Sequence, residues 1–366
     1  MDREERAAWV ALSRVRGIGP ARFRKMLDHF EHARHALLAG PDAWRSLGLR
    51  EDVIASLTQA ARELPQLIQQ LDAWQRAGIR VLTWRDTDYP NRLRDIPHSP
   101  PVLYMRGEWR LDDDWAVAVV GTRKMTRYGR QVAQDVVDFL VQHGITVVSG
   151  LARGIDGVAH RRALEAGGRT LAVLGSGVDV IYPPEHRALA QAILERNQGA
   201  LLSEYPPGTR PDAANFPPRN RIIAGLSLAV VVVEAGEKSG ALITARFAAE
   251  LGRDVFAVPG SIYVPTSQGT LWLIQQGAQV LRRPEDLASV LDLRLLPQRR
   301  AARAQLPTDP IERQLWEALR PEPLHIDDLC ARTGLPAARV SAILAIMELK
   351  GLVRQVGPMT YQAREG

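Results

Sequence analysis

Between residues 116 and 281, seven short apolar runs alternate with helical segments. That rhythm predicts an α/β fold: a Rossmann-like, mostly parallel sheet buried on both faces. Helical periodicity through residues 1–75 predicts a helix-hairpin-helix or SAM-like domain ahead of it. A helix-turn-helix pattern followed by two strands predicts a C-terminal winged helix. The expected domains are 1–75 (helical), 76–285 (extended Rossmann-like), 286–308 (linker) and 309–366 (winged helix).

In the first domain, Val15-Arg-Gly-Ile-Gly-Pro-Ala-Arg22 precedes Phe23, Leu27 and Phe30 on a helical period. Such a Gly-apolar-Gly turn exposes N–H groups at a helix start, where they either hold a phosphate or only pack. Pro20 suits the first turn of the second helix. Ile79–Trp84 and Val102–Arg106 read as strands, separated by Tyr89-Pro90 and Pro97–Pro101. The seven apolar runs are Ala116–Val120, Thr146–Val148, Thr170–Leu174, Ala200–Leu202, Leu228–Val233, Val255–Val258 and Ala278–Leu281. The linker includes the Pro/Arg/Ala-rich run Leu296–Arg303. Beyond Asp309, an amphipathic helix runs through Ile311, Leu315, Trp316 and Leu319. Ile326–Thr333, a turn at Gly334 and Pro336–Lys350 follow, and Leu352–Val356 and Met359–Gln362 pair as a wing across Gly357-Pro358. The second helix offers Arg339, Ser341 and Lys350 but no dense basic face. That favours a protein contact over entry into a DNA groove, with both readings open.

A net charge of +6 and a pI near 9.7 favour polyanionic partners. Lysine stands only at positions 25, 124, 238 and 350; arginine supplies the rest of the 47 basic residues. Arginine forks pair bidentately with phosphate, although a GC-rich coding sequence explains the same bias. A single cysteine, Cys330, excludes an intrachain disulfide and a cysteine-built zinc site, and it falls in an apolar pattern expected to be core. The histidines form no HExxH pair, and no cofactor is expected. The start, Met-Asp-Arg-Glu-Glu-Arg, is too charged for a signal peptide, and no segment is apolar enough to span a bilayer. The expectation is a cytoplasmic protein with no membrane partner.

In open parallel sheets, ligands sit beyond the carboxyl ends of the strands. The loops there are rich in glycine. After the first of the seven strands come Gly121, Thr122 and Arg123: a close backbone approach and a phosphate site at the next helix start. The GxGxxG dinucleotide fingerprint is missing from this turn. After the second, Ser149, Gly150 and Arg153 make another anion cradle. Asp156 and His160 share a helix face four residues apart; a structural bond or cap outweighs an acid–base pair, because no nucleophile or metal accompanies them. Gly175 and Gly177 follow the third strand, and Ser239 and Gly240 follow the fifth. Phe216-Pro-Pro-Arg-Asn-Arg-Ile-Ile-Ala-Gly225 adds a ring for base stacking, two forks in Arg219 and Arg221, and Asn220 to read an edge or brace the loop. Several phosphates in a row, as on a single strand of nucleic acid, fit this rim better than one nucleotide does.

These segments, with Tyr128-Gly129, Asp156, His160, Tyr182-Pro183, Ser203-Glu204, Glu234-Ala235, Thr244-Ala245 and Val258-Pro-Gly260, resemble the DprA/Smf family densely over residues 80–282. The resemblance implies a non-enzymatic protein that binds and protects incoming single-stranded DNA and helps load the RecA recombinase during natural transformation. It also implies DNA contacts at Gly121, Thr122, Arg123, Phe216, Arg219, Asn220 and Arg221, and a homodimer joined through Leu271, Ile274 and Val280. Two departures stand out: Leu271 occupies a slot that is commonly polar in relatives, and no lysine lies just ahead of Phe216. The rival readings are a phosphoribohydrolase-like nucleotide enzyme, whose Pro-Gly-Gly-x-Gly-Thr loop is replaced here by Glu234–Gly240, and a winged-helix transcription regulator.

Overall fold

The computed structural model describes residues 1–291, 309–320, 322–349, 352–357 and 359–363. The run Leu296–Arg303, Lys350 and Pro358 fall outside these residues. The chain forms two compact units, Met1–Val290 and Leu291–Gly366.

The first unit opens with helices α1 (Arg3–Arg14), α2 (Pro20–Phe30), α3 (Ala33–Leu38), α4 (Pro41–Ser46) and α5 (Glu51–Arg76). Asp2 caps α1 by accepting from the Glu5 N–H at 2.7 Å. Gly17 turns the chain between α1 and α2 at φ +94°, where a side chain would stand 2.8 Å from Val53. Buried Glu5 accepts from the N–H groups of Ala33 and Arg34 at the start of α3 and from the Trp9 indole. The helices share a core with the first two strands. Trp9, Phe23 and Trp84 pack ring to ring at 4.9–5.9 Å, and Ile79, Val81, Val102 and Tyr104 continue the cluster.

The sheet consists of β1 (Ile79–Thr83), β2 (Val102–Gly107), β3 (Ala116–Val120), β4 (Thr146–Ser149), β5 (Thr170–Val173), β6 (Gly199–Ser203), β7 (Ala229–Val232), β8 (Asp254–Ala257) and β9 (Gln279–Val280). Its order is β1-β2-β6-β5-β4-β3-β7-β8-β9. From β6 to β9 all neighbours are parallel; β1 and β2 add an antiparallel edge. Every residue of β3 through β7 is buried, as expected of strands covered on both faces. The crossovers carry α7 (Arg127–Gln142), α8 (Ile155–Glu165), α9 (Arg187–Glu195), α10 (Phe216–Leu226), α11 (Ala241–Glu250) and α12 (Gln268–Gln275), with short α6 (Asn91–Arg94) before β2 and α13 (Ala288–Leu291) after β9. Chain order reverses at β3, whose neighbours are β4 and β7, so the loops after β3 and β7 part and open a crevice.

The second unit is a winged helix: α14 (Pro310–Leu319), β10 (Leu324–His325), α15 (Ile326–Thr333), α16 (Ala337–Leu349), β11 (Val353–Gly357) and β12 (Thr360–Ala363). Gly334 ends α15 in the left-handed region. The short β10, unforeseen in the sequence, pairs with β12. Cys330 departs from expectation: it is half-buried at the margin of this core, not inside it. Arg339 is exposed and Ser341 half-buried.

Candidate nucleic-acid interface

The crevice beyond β3 and β7 is a groove of about 990 Å³. Its walls are Gly121–Lys124 after β3, Tyr182 from the β5 loop, Phe216 and Asn220 from α10, and Lys238–Ala241 at the start of α11. Gly121 lets the loops close up: a Cβ there would lie 2.6 Å from Ile155 and 2.9 Å from the Glu234 carbonyl, which accepts the Thr122 N–H at 2.7 Å. Arg123, Lys124 and Lys238 line the groove, are exposed, and have no ion-pair partner among the described residues.

Phe216 is the first residue of α10, with Pro217 and Pro218 in the first turn, where their missing N–H groups cost nothing. Its ring lines the groove, tilted 39° to Tyr182 at 5.7 Å. The guanidinium carbons of Arg123 and Arg219 lie 5.8 and 5.9 Å from its centroid. Beneath it, a Cβ on Gly175 would come within 2.8 Å of the ring. Gly175, expected to cradle a phosphate, instead makes room for an aromatic.

Other expected contacts are occupied by the protein itself. Arg219 is 4 % exposed and donates to the carbonyls of Gly150 and Val173 and to Asn220 Oδ1. Burial lowers this guanidinium to about 10, against the pull of Asp156. It therefore remains charged at neutral pH and ties α10 to the loop after β4 and the end of β5 from below. Arg221 makes a bidentate pair with Glu204 at 2.6 and 2.8 Å and donates to the His98 carbonyl, so its fork is already engaged. Ser149 is fully buried and donates to the Val119 carbonyl at 2.7 Å. Gly150 is flanked by Arg219 and Asp156, which a Cβ would meet at 2.7 and 2.9 Å. Gly177 is packed against Asp179, Pro206 and Gly208. Arg153 is exposed and paired with Glu185. Asn220 lines the groove, and its amide donates to the Gly240 carbonyl at 3.2 Å, tying α10 to α11.

The phosphate expected at the helix start after β3 has a rival in the fold. Thr126 caps α7, and the buried Glu234 carboxylate accepts from the Thr126 N–H at 2.9 Å and hydroxyl at 2.7 Å. Thr266 adds a bond at 3.3 Å. A Cβ on Gly129 would lie 2.2 Å from this carboxylate, so the first turn of α7 is built around it. The start of α11 differs. Ser239 Oγ accepts from Ala241 N–H at 3.3 Å, Gly240 is exposed with open space around its Cβ position, and the first turn holds no acid.

Asp156 and His160 are both buried and not bonded to each other, in keeping with a structural role. Asp156 accepts from Gly150 N–H at 3.1 Å and Ala152 N–H at 3.4 Å; burial pushes its carboxyl up, opposed by Arg219 and those amides. His160 Nε2 accepts from the Leu151 N–H at 3.3 Å, so Nδ1 carries the proton and donates to Thr170 Oγ1 at 2.7 Å. Burial lowers this imidazole to about 3, and it stays neutral. His186 donates to the Leu151 carbonyl at 2.9 Å. Two imidazoles thus pin Leu151, a non-glycine residue at φ +55°.

Sequence reasoning passed over Lys124, Lys238 and the burial of Glu234. The two lysines carried a signal: half of the chain's four lysines sit on two adjacent rim loops. The residues expected at a dimer contact lie elsewhere, at the β9 edge. Leu271 and Ile274 are half-buried, Val280 is 39 % exposed and Trp272 50 %. Leu271 and Trp272 line a second groove of about 940 Å³ between α11 and α12.

Residues 80–292 match the family model for DNA recombination-mediator protein A, 299–357 the DprA winged helix domain, and 3–65 the DprA-like N-terminal HHH domain. Protein Smf of Synechocystis is 40 % identical, with both chains covered completely. The DNA processing protein DprA of Bacillus subtilis is 43 % identical over 61 % of this chain and 75 % of its own. The crystal structure of DprA from Streptococcus pneumoniae superposes with a TM-score of 0.68 at 35 % identity, covering 79 % of this chain and 98 % of that one. A Helicobacter pylori DprA structure, concerned with that protein's single-stranded DNA binding mode, gives 0.52 at 29 % identity over 58 % and 95 %.

Proposed function

The chain belongs to the DprA/Smf family of DNA recombination-mediator proteins, and from that premise we propose that it binds single-stranded DNA along the β3–β7 groove. It protects incoming strands there and helps load RecA during natural transformation. The observation that carries the reading is the combination of three cations without an ion-pair partner among the described residues, Arg123, Lys124 and Lys238, with the Phe216 ring in one groove. The cations suit phosphates and the ring suits an unpaired base, which a duplex keeps stacked away. The open start of α11, at Ser239 and Gly240, offers a further phosphate site, and Gly121 and Thr122 shape the facing wall. Arg219 and Gly150 position the wall rather than touch the strand. The reading is non-enzymatic: the Glu234–Gly240 loop stands in place of a hydrolase's Pro-Gly-Gly-x-Gly-Thr loop, and the Glu234 carboxylate is buried and bonded to Thr126 and Thr266. Fluorescence anisotropy with oligothymidylate and duplex over a salt series tests it. The single strand should bind more tightly, with affinity falling steeply as salt rises. Equal affinity for the two would refute the groove reading.

Homodimerisation through Leu271, Ile274 and Val280 fits an apolar patch that Trp272 extends, and two copies would join two grooves into a longer track. Val280→Arg, at an exposed position, should give a folded monomer by light scattering that still binds short strands.

A further inference from the structure

On the same rim, next to the groove, the loop after β8 holds Ile262 66 % exposed and Tyr263 88 % exposed. The loop is tightly held. Its Thr266 carbonyl accepts the Ala235 N–H at 2.8 Å, Val264 N–H donates to Ser261, and Ser267 N–H donates to Val264. Tyr128, itself 51 % exposed, donates to the Pro259 carbonyl at 3.0 Å. A well-bonded loop that keeps two large apolar side chains in water marks a surface built to be covered.

We propose that Tyr263, beside Ile262 on a loop that Tyr128 ties down at Pro259, is a second stacking platform for unpaired bases of the strand that lies in the groove. This inference rests on the single-strand reading above. Three observations choose bases as the occupant. The platform is continuous with the groove, because its loop is bonded to Ala235 and packs on Gly236, whose chain leads directly to Lys238 and Ser239. The charge is right for a polyanion: Lys238 faces the groove, whereas its neighbour Glu237 lines the separate α11–α12 groove. The spacing is right as well. Phe216 sits over the end of β5, and β5 and β8 are four strand intervals apart. That is about 19 Å, or roughly six nucleotides at the stacked spacing and fewer in an extended strand. One aromatic at each end, with cations between them, would hold a short single strand taut across the sheet.

The test measures affinities of the full chain, Tyr263→Ala and Tyr263→Phe for oligothymidylates from about 3 to about 20 nucleotides. Photocrosslinking with a 5-iodouracil strand and mass-spectrometric mapping accompanies it. For strands long enough to reach the β8 loop, Tyr263→Ala should weaken binding by about fivefold to a hundredfold, the worth of one stacked base. The shortest strands should bind as before, Tyr263→Phe should behave as the unaltered chain, and crosslinks should map to Tyr263. Unaltered affinity of Tyr263→Ala at every length, in a chain that does bind single strands, overturns the platform alone and marks the patch as a protein contact. Failure of the unaltered chain to bind any single strand overturns both readings.

Discussion

At the start of α7, Thr126 and the Glu234 carboxylate take up the first turn, and Gly129 is there because that carboxylate leaves no room for a side chain. At the start of α11, across the same crevice, Ser239 makes one weak cap and Gly240 stands open beside Lys238. The two helix starts carry the same partial positive charge. One is neutralised from within, and the other has no acid in its first turn. The side toward β4 is closed in the same manner: Arg219, Asp156 and His160 bond to loop backbone beneath the groove. The lesson is that a polar residue on a strand-end rim is a ligand candidate only if the fold has not already used it.

The largest effect should come from breaking the closed side. Arg219→Ala leaves Asp156 buried without its charge partner and frees two carbonyls; it should cost about 3–5 kcal/mol in denaturant unfolding. If DNA binding fell while stability held, Arg219 would be a contact after all and the division would fail. Next, reversing the open side, with Arg123→Glu and Lys238→Glu together, should weaken single-strand binding about a hundredfold with no change in melting temperature. The salt slope should flatten by about 0.7 per lost contact.

Glu234→Ala sharpens the contrast by opening the closed helix start. It should cost about 1–3 kcal/mol, because the Thr126 hydroxyl and N–H lose their acceptor. Phosphate should then raise the melting temperature of the variant more than that of the unaltered chain, because the α11 start is open in both. The last effect is nil at neutral pH and appears only on acidification. His160 is held near 3 when folded and returns to about 6.5 when unfolded, so the unfolded chain binds more protons between those values. Stability is therefore full above about 6.5 and falls as pH drops toward 3, by on the order of 1 kcal/mol per pH unit. Asp156, pushed upward, acts in the opposite sense above 3.8 and offsets part of the slope. His160→Gln should flatten the melting curve between those pH values and leave strand affinity at neutral pH unchanged.

The nine strands of the first unit were legible because each is a short run of apolar residues set off by glycine, proline or helical period, and β3 to β7 are buried on both faces. The two-residue β10 was not: Leu324-His325 offers a single apolar residue, whereas the equally short β9 lies in the apolar run Ala278–Leu281. In the groove, Phe216 and Arg123 were legible by type and position. Arg219 and Arg221 were read with them, since an arginine after an aromatic looks the same whether it faces water or core.

The amino-acid sequence by itself determined the layers, the strand-end rim and the family, because these follow from local periodicity and from glycines whose spacing survives in one dimension. Tertiary structure alone decided which rim groups are free. Glu234 reaches Thr126 across 108 residues, Arg219 reaches Gly150 across 69, and Arg221 meets Glu204 across 17. A polar group's availability is set by the partner it meets in space, and partners brought together by sheet order leave no periodic trace in the chain.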